Sequence, residues 1–232
     1  MAGKISAMKI IKQTNKVNTA SVIFFHGSGD TGPGVLEWMK FLIGDFSQPH
    51  IKFLFPSAPM RPYTPLNGAQ SNVWFDRLNI TPDAPEHTQT LDSIGEEVKK
   101  LIQAEVNSGV PLDKIIVGGF SMGGALALHT AYRTIPGLAG VFALSSFLNK
   151  DSLVYDVLRK NGPSKTPLYM FHGDRDTLVP NTWGLESFNN LTELGVKGEY
   201  VQLKNTLHEL KKHELELLIS WIRKLLPYEK AV

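Results

Sequence analysis

The chain has 232 residues, of which 42% are hydrophobic, and its 24 basic and 22 acidic side chains leave a formal net charge of +2. This balance provides no broad basic surface, so we expect no nucleic-acid partner. The absence of cysteine excludes disulfides, thiolate metal ligands, a cysteine nucleophile and S-acylation of the chain itself. No segment resembles a secretory signal or approaches the ~18 apolar residues of a membrane span. We therefore expect a cytoplasmic protein whose membrane contact is at most transient.

Short runs of β-forming residues alternate with segments of helical spacing along the chain. The first predicted strand, near residues 4–12, is expected to pair antiparallel at a sheet edge. Further strands are predicted at 21–25, 51–55, 115–117, 140–144, 168–171 and 199–203, and helices near 34–44, 88–108, 122–134, 151–160, 182–194 and 209–226. Most strand runs are continuously apolar, as in strands buried on both faces. The alternation predicts a mostly parallel sheet with helices on both faces, in one domain over residues 1–232.

The longest stretch without a regular pattern spans residues 56–75. A connection of this length inside a compact fold is usually functional. Its large side chains are Met60, Tyr63, Leu66, Trp74 and Phe75. The alternative is a surface loop that packs on its own apolar groups, and the sequence leaves both interpretations open.

Ser121 stands between two pairs of glycines in the sequence Gly-Gly-Phe-Ser-Met-Gly-Gly. It follows the strand predicted at 115–117 and precedes a helix, which is the context of a nucleophile elbow. Gly119 and Gly123 would allow the strand and the helix to approach closely. The amino terminus of the helix would direct free N–H groups at the reaction centre. This context predicts a serine nucleophile rather than a purely structural turn.

A serine nucleophile needs a histidine base that is oriented by a carboxylate. In this architecture the chain order is serine, acid, histidine. Of seven histidines, His208 alone lies in a strand-to-helix connection after the last predicted strand, so we predict it as the base and place His213 on the helix surface. Asp174 and Asp176 both follow the strand at 168–171, and spacing alone does not choose between them.

Two backbone N–H groups are also needed to stabilise a tetrahedral oxyanion. We predict that Met122, directly after the nucleophile, provides one of them. The second is assigned to Ser28, in the glycine-rich loop that follows the strand at 21–25. In the same loop, His26 is predicted to be buried and bonded to the loop backbone, and Asp30 to brace the glycines.

Four motifs occur in order between about residue 18 and Pro227: His-Gly-Ser-Gly-Asp-Thr-Gly, Ser-Asn-Val-Trp-Phe-Asp-Arg, Gly-Gly-Phe-Ser-Met-Gly-Gly-Ala and His-Gly-Asp-Arg-Asp-Thr-Leu-Val-Pro. With them the chain resembles the acyl-protein thioesterase and lysophospholipase family of α/β hydrolases. Ser28, Met122 and the segment 140–150 are similar to the lysophospholipase-like protein 1 branch of that family.

The resemblance implies an α/β-hydrolase fold and a catalytic triad of Ser121, Asp176 and His208, with Asp174 left in a turn. It also implies hydrolysis of acyl thioesters or esters, on acylated proteins or small molecules, with no cofactor or metal. Trp74 is similar to the family residue beside the catalytic centre. Trp74, Phe75 and Leu178 are the predicted substrate-binding residues, and packing in the core is the alternative for Trp74.

The surroundings of the predicted nucleophile are less defined by the sequence. Phe147, Leu148 and Leu178, together with the loop from Met60 to Phe75, are expected either to line an acyl groove or to pack as a cap. The bulkier residues of this branch are compatible with short acyl groups. A short-chain carboxylesterase without a protein substrate is an alternative function, and a non-catalytic binding module is another. The sequence does not predict the oligomeric state.

Overall fold

The computed structural model describes residues 3–228, and within them nine strands form a seven-stranded sheet and a separate hairpin. The strands are β1 (Ser6–Ile11), β2 (Ala20–Phe25), β3 (Ile51–Ser57), β4 (Met60–Tyr63), β5 (Ala69–Asn72), β6 (Ile115–Phe120), β7 (Gly140–Leu144), β8 (Leu168–Gly173) and β9 (Gly198–Leu203). The sheet order is β1-β3-β2-β6-β7-β8-β9. Within this seven-stranded sheet, only β1 runs antiparallel to its neighbour. The predicted mostly parallel sheet with an antiparallel edge is confirmed.

Six α-helices cover the two faces of the sheet in the described part of the chain. They are α1 (Gly32–Ile43), α2 (Thr88–Asn107), α3 (Met122–His129), α4 (Leu153–Asn161), α5 (Asn181–Glu193) and α6 (Lys212–Leu225). Successive strand residues point to opposite faces, so Ile23 packs in the core beneath α2 to α5, while Phe24 packs in the core beneath α1 and α6. None of the helices in residues 3–228 is both long and apolar enough to cross a bilayer.

The segment 56–75 is more regular than the sequence analysis expected. The strand β3 extends to Ser57, and β4 and β5 form an antiparallel hairpin. Its turn contains Asn67 and Gly68 with φ angles of 54° and 79°, the left-handed geometry for which an Asn-Gly pair is suited. The prediction of an irregular segment was therefore wrong. The Asn67-Gly68 pair is the sequence signal for this hairpin.

Two helices also differ from their predicted bounds. After His129, α3 continues as a π-helical turn over Thr130–Thr134, in which the Thr134 hydroxyl donates to the Thr130 carbonyl at 3.2 Å. The helix α6 begins at Lys212 rather than at residue 209. Residues 204–211 are therefore a loop, and His208 is carried on it while His213 lies exposed on α6, as predicted.

The carboxyl ends of the parallel strands place several loops at one edge of the sheet, where ligands bind in open α/β folds. At this edge, β2, β6 and α3 approach one another closely. A Cβ atom at Gly119 would lie 2.3 Å from the Phe25 carbonyl oxygen, and one at Gly123 would lie 2.1 Å from it. Since real Cβ contacts are never this short, glycine is required at both positions for the chain to turn here.

We expect the Gly123→Ala substitution to lower the free energy of unfolding by about 1–3 kcal/mol or more, because the new methyl group meets backbone that cannot move aside. Denaturant unfolding of the purified variant measures this. The matched control is Gly95→Ala in α2, where the nearest atom would lie 3.7 Å away and stability should rise by about 0.5–1 kcal/mol. Equal stability of the Gly123 variant and the wild type would contradict the close approach.

Candidate active site

Ser121 occupies a strained turn between β6 and α3. Its backbone has φ 53° and ψ −120°, a conformation that costs a non-glycine residue about 1–3 kcal/mol and persists only where the surroundings enforce it. Its N–H donates to the Leu144 carbonyl at 2.8 Å, which ties the turn to the end of β7. The side chain consequently lies at the amino terminus of α3 and lines a cavity at the sheet edge.

Asp176 and His208 form a hydrogen-bonded pair at the same edge. His208 Nδ1 donates to Asp176 Oδ2 at 2.7 Å, and Asp176 Oδ1 accepts from the N–H groups of Leu178 at 3.0 Å and Val179 at 2.8 Å. Burial alone raises the pKa of the Asp176 carboxyl, but hydrogen bonds from His172, His208 and Val179 outweigh it and hold this pKa well below its usual range. The carboxylate therefore stays ionised and fixes the orientation of the His208 ring, which lines the cavity with Ser121.

His172, at the end of β8, is a further partner of this carboxylate, and no role was predicted for it from the sequence. Its Nε2 donates to the Val179 carbonyl at 2.8 Å and lies 3.4 Å from Asp176 Oδ2, with both side chains fully buried. The sequence signal for this contact was a histidine four positions before the acid.

In residues 3–228 no group of three His, Asp or Glu side chains is arranged to hold a metal ion.

Asp174 has a different role from Asp176, although both lie in one loop. The Asp174 Oδ1 atom accepts a hydrogen bond from the Thr206 N–H at 3.3 Å, and its own N–H donates to the Leu203 carbonyl at 3.0 Å. It is exposed and joins the loop after β8 to the loop after β9. The structure thus brings Asp176 rather than Asp174 to His208.

The loop after β2 is held in place by the side chain of His26. His26 Nδ1 donates to the Gly27 carbonyl at 2.7 Å, and its Nε2 accepts from the Ala58 N–H at 2.9 Å. Burial lowers the pKa of His26, so the neutral ring is favoured. The predicted bond between His26 and the loop backbone is confirmed.

Ser28 and Met122, the predicted oxyanion donors, line the same cavity as Ser121. The Ser28 hydroxyl lies 3.7 Å from the Met122 sulfur, so the two residues are adjacent. The N–H of Met122 belongs to the first turn of α3, where amide groups have no partner within the helix. Asp30 Oδ1 accepts from the Thr31 N–H at 2.7 Å, which braces the glycine loop on its exposed side.

Trp74 and Phe75 do not line the cavity beside Ser121, in contrast to the prediction. The Trp74 side chain is fully buried, and its indole N–H donates to the His26 carbonyl at 2.8 Å. A buried indole needs such an acceptor, and the backbone of the loop provides it. Trp74 therefore supports the loop from behind, which is the core-packing alternative.

The cavity beside Ser121 is small and mostly apolar. Its volume is about 180 Å³, below the roughly 300–1,000 Å³ of sites for drug-sized ligands. It is lined by Gly27, Ser28, Asp30, Tyr63, Arg77, Ile80, Phe120, Ser121, Met122, Ser145, Phe147, Leu178, Val179 and His208. Of the predicted acyl-groove residues, Phe147 and Leu178 lie in its wall and Leu148 does not. Arg77, Ile80 and Ser145 were not anticipated.

Residues 6–226 match the model of the phospholipase/carboxylesterase family. The chain belongs to this family. Family membership confirms the resemblance seen in the motifs and the assignment of the chain as a hydrolase.

Two relatives of known name match nearly the whole chain. Mouse lysophospholipase-like protein 1 is 49% identical over 213 residues, which cover 91% of this chain and 89% of the relative. Acyl-protein thioesterase 1 homolog 1 of Dictyostelium discoideum is 34% identical over 219 residues, which cover 94% and 95% of the two chains. The similarity to the lysophospholipase-like protein 1 branch is therefore confirmed.

Solved structures of other proteins have a fold similar to that of this chain. The SOBER1 protein of Arabidopsis thaliana superposes with a TM-score of 0.79 at 27% identity, covering 89% of this chain and 99% of its own. Acyl-protein thioesterase 2 of Zea mays gives a TM-score of 0.77 at 25% identity, covering 95% and 99%. The α/β-hydrolase fold is thus shared with these proteins over 89% and 95% of this chain.

We expect Asp176→Asn to lower kcat/KM for an acyl ester by about 10⁴-fold, because the amide no longer fixes the His208 tautomer or stabilises its charged form. The matched variant is Asp174→Asn, two residues away, for which the loss should stay below about tenfold because only a turn contact changes. Steady-state rates on one chromogenic ester compare the two. A larger loss for the Asp174 variant would reverse the assignment of the acid.

Proposed function

We propose that the chain is a serine hydrolase in which Ser121 is the nucleophile, His208 the base and Asp176 the orienting acid. The observation that carries this proposal is the 2.7 Å bond from His208 Nδ1 to the buried Asp176 carboxylate. Nε2 is the other nitrogen of this ring, and the ring lines the same cavity as Ser121. The strained backbone of Ser121 supports the proposal, since such strain is concentrated at functional sites.

The proposed reaction transfers the acyl group in two steps. His208 accepts the hydroxyl proton as Ser121 attacks the acyl carbonyl, and the N–H groups of Ser28 and Met122 bind the oxyanion. His208 then protonates the leaving alcohol or thiol, which departs and leaves an acyl ester on Ser121. Water, deprotonated by His208, attacks this ester and releases the acid. Each oxyanion donor is worth roughly 3–4 kcal/mol of the barrier, and no cofactor or metal enters either step.

The substrates are acyl thioesters or esters with short acyl groups. The size of the cavity, about 180 Å³, supports this choice, and the names of the relatives support thioester and lysophospholipid chemistry. Acylated proteins and small acyl esters are both included in the proposal. We also propose that residues 1–232 form a single domain, that the protein is cytoplasmic and that its membrane contact is at most transient.

Ser121→Ala should abolish both turnover and covalent labelling by a fluorophosphonate probe, because the alanine side chain has no oxygen to form the acyl or phosphonyl bond. Mass spectrometry of the labelled wild type should locate the adduct on Ser121. The control is Ser220→Ala, at an exposed position on α6, which should keep full labelling. A labelled and active Ser121 variant would refute the nucleophile, and an unlabelled wild type would favour a non-catalytic binding module.

The acyl preference is measured with thioesters of one thiol that carry acyl chains from acetyl to palmitoyl. We expect kcat/KM to be highest for chains of about two to six carbons and to fall at least about tenfold for palmitoyl, because a chain longer than the cavity can enter only by displacing its wall, at a cost of about 1–3 kcal/mol. A depalmitoylation assay on an acylated peptide provides the comparison with a protein substrate. A maximum at palmitoyl would show that the cavity opens into a longer tunnel.

A further inference from the structure

Arg77 lies in the wall of the cavity that contains Ser121, and it also lines a second, smaller cavity with Phe75, Phe147 and Asn149. The residue is only 7% exposed, yet it lines this cavity together with Ser121 and His208. Burial lowers the pKa of the guanidinium to about 10, so it still carries its charge at neutral pH. A buried charge is costly unless it is paired, and its partners therefore need to be identified.

The protein itself provides only weak compensation for this charge. The guanidinium lies over the rings of Phe75 and Phe147, at 5.1 and 4.5 Å from their centroids, and its Nη1 donates to Asn149 Oδ1 at 3.5 Å. Within residues 3–228, no carboxylate oxygen approaches it within 4.0 Å. The aromatic faces hold the planar group in one orientation, but a full negative charge is not provided.

The carboxylate of Glu86 is close enough to interact electrostatically with Arg77. It already has other hydrogen-bond partners, however. Its Oε1 lies 3.0 Å from His129 Nε2, and its Oε2 accepts from the Leu153 N–H at 3.1 Å. These bonds hold the carboxylate to α3 and α4. The guanidinium of Arg77 thus keeps hydrogen-bond donors for a group that enters the cavity.

The cavity has a buried end and an open rim. At the buried end, Tyr63 is 3% and Ser145 1% exposed, and the Ser145 hydroxyl has no hydrogen-bond partner in the described part of the chain. At the rim, Leu178 is 54% exposed, and the acidic Asp30 is also exposed. A leaving group must depart toward the rim, so the acyl group points to the buried end, where Tyr63 interacts electrostatically with Arg77.

We propose that Arg77 binds a negatively charged group at the far end of the acyl chain, so that short acyl groups ending in a carboxylate are preferred substrates. This inference rests on the proposed function, since Ser121 must be the nucleophile. A guanidinium and a carboxylate form two parallel N–H···O bonds of matched geometry. The Ser145 hydroxyl provides a further donor, and the small volume limits the chain to a few carbons.

The test compares benzyl hemiglutarate with benzyl pentanoate, which have acyl groups of equal length, with and without the terminal carboxylate. Release of benzyl alcohol at pH 7 gives kcat/KM for each. We expect the hemiglutarate to be favoured in the wild type, and the ratio of the two values to fall about tenfold or more in Arg77→Met, because a charged hydrogen bond is lost. Arg159→Met, which removes an exposed charge on α4, is the control and should keep the wild-type ratio.

The outcomes separate this inference from the proposed function. Hydrolysis of the pentanoate with no preference for the hemiglutarate would overturn the role of Arg77 and leave the triad standing. No hydrolysis of either ester would contradict the triad first. If carboxymethyl pentanoate, whose charge is on the leaving group, were the ester whose rate depends on Arg77, the acyl-side placement would be wrong.

A second measurement does not depend on the folding of the Arg77 variant. The monoamide of glutarate and pentanamide, which share an amide at one end and differ only by a carboxylate at the other, are compared as competitive inhibitors of pentanoate hydrolysis by the wild type. The monoamide of glutarate should inhibit at least about tenfold more strongly, since only it carries a charge to the guanidinium. Equal inhibition by the two compounds would overturn the proposal.

Discussion

The close contact of the Phe25 carbonyl with the backbone of Gly119 and Gly123 is the constraint on which the site depends. It brings the end of β2, the end of β6 and the start of α3 within van der Waals distance. No side chain fits between them, and the turn that joins β6 to α3 in this space passes through Ser121 with a positive φ. The same contact sets the start of the loop after Phe25, since His26 follows directly. One packing requirement therefore positions both the serine and the loop that carries Ser28.

A second constraint lies on the other side of the cavity, where the Asp176 carboxylate joins two imidazole rings and two backbone N–H groups. The accepting carboxylate oxygens all belong to Asp176, and the loop between β8 and α5 holds that residue in place. His172 is in turn confined by Gly184, whose Cβ would lie 2.3 Å from His172 Nδ1. Such fixed donors and acceptors need little reorganisation during a reaction, which is the general basis of electrostatic catalysis.

Sequence patterns were sufficient for the sheet and for the residues at its carboxyl edge, because buried parallel strands are continuously apolar and their ends share one edge. Ser121 and His208 were predicted for this reason. Asp174 and Asp176 could not be separated by spacing, since two residues in one loop differ only in the direction of their side chains. The burial of Arg77 could not be predicted from the sequence. It depends on contacts with Phe75 and with Phe147, and Phe147 is distant in the sequence and approaches Arg77 only in the folded chain.

The segment around Trp74 and Arg77 shows how the fold reverses an expectation drawn from residue type. Trp74 and Phe75 were expected at the substrate and no role was predicted for Arg77, whereas Trp74 supports the loop after β2 and Arg77 lines the cavity. The rings of Phe75 and Phe147 offset part of the desolvation cost of the guanidinium. A long neutral acyl chain would bury this charge further without pairing it. If Ser121 is the nucleophile as proposed, cavity volume and cavity charge favour the same substrates, namely short acyl groups with a polar end.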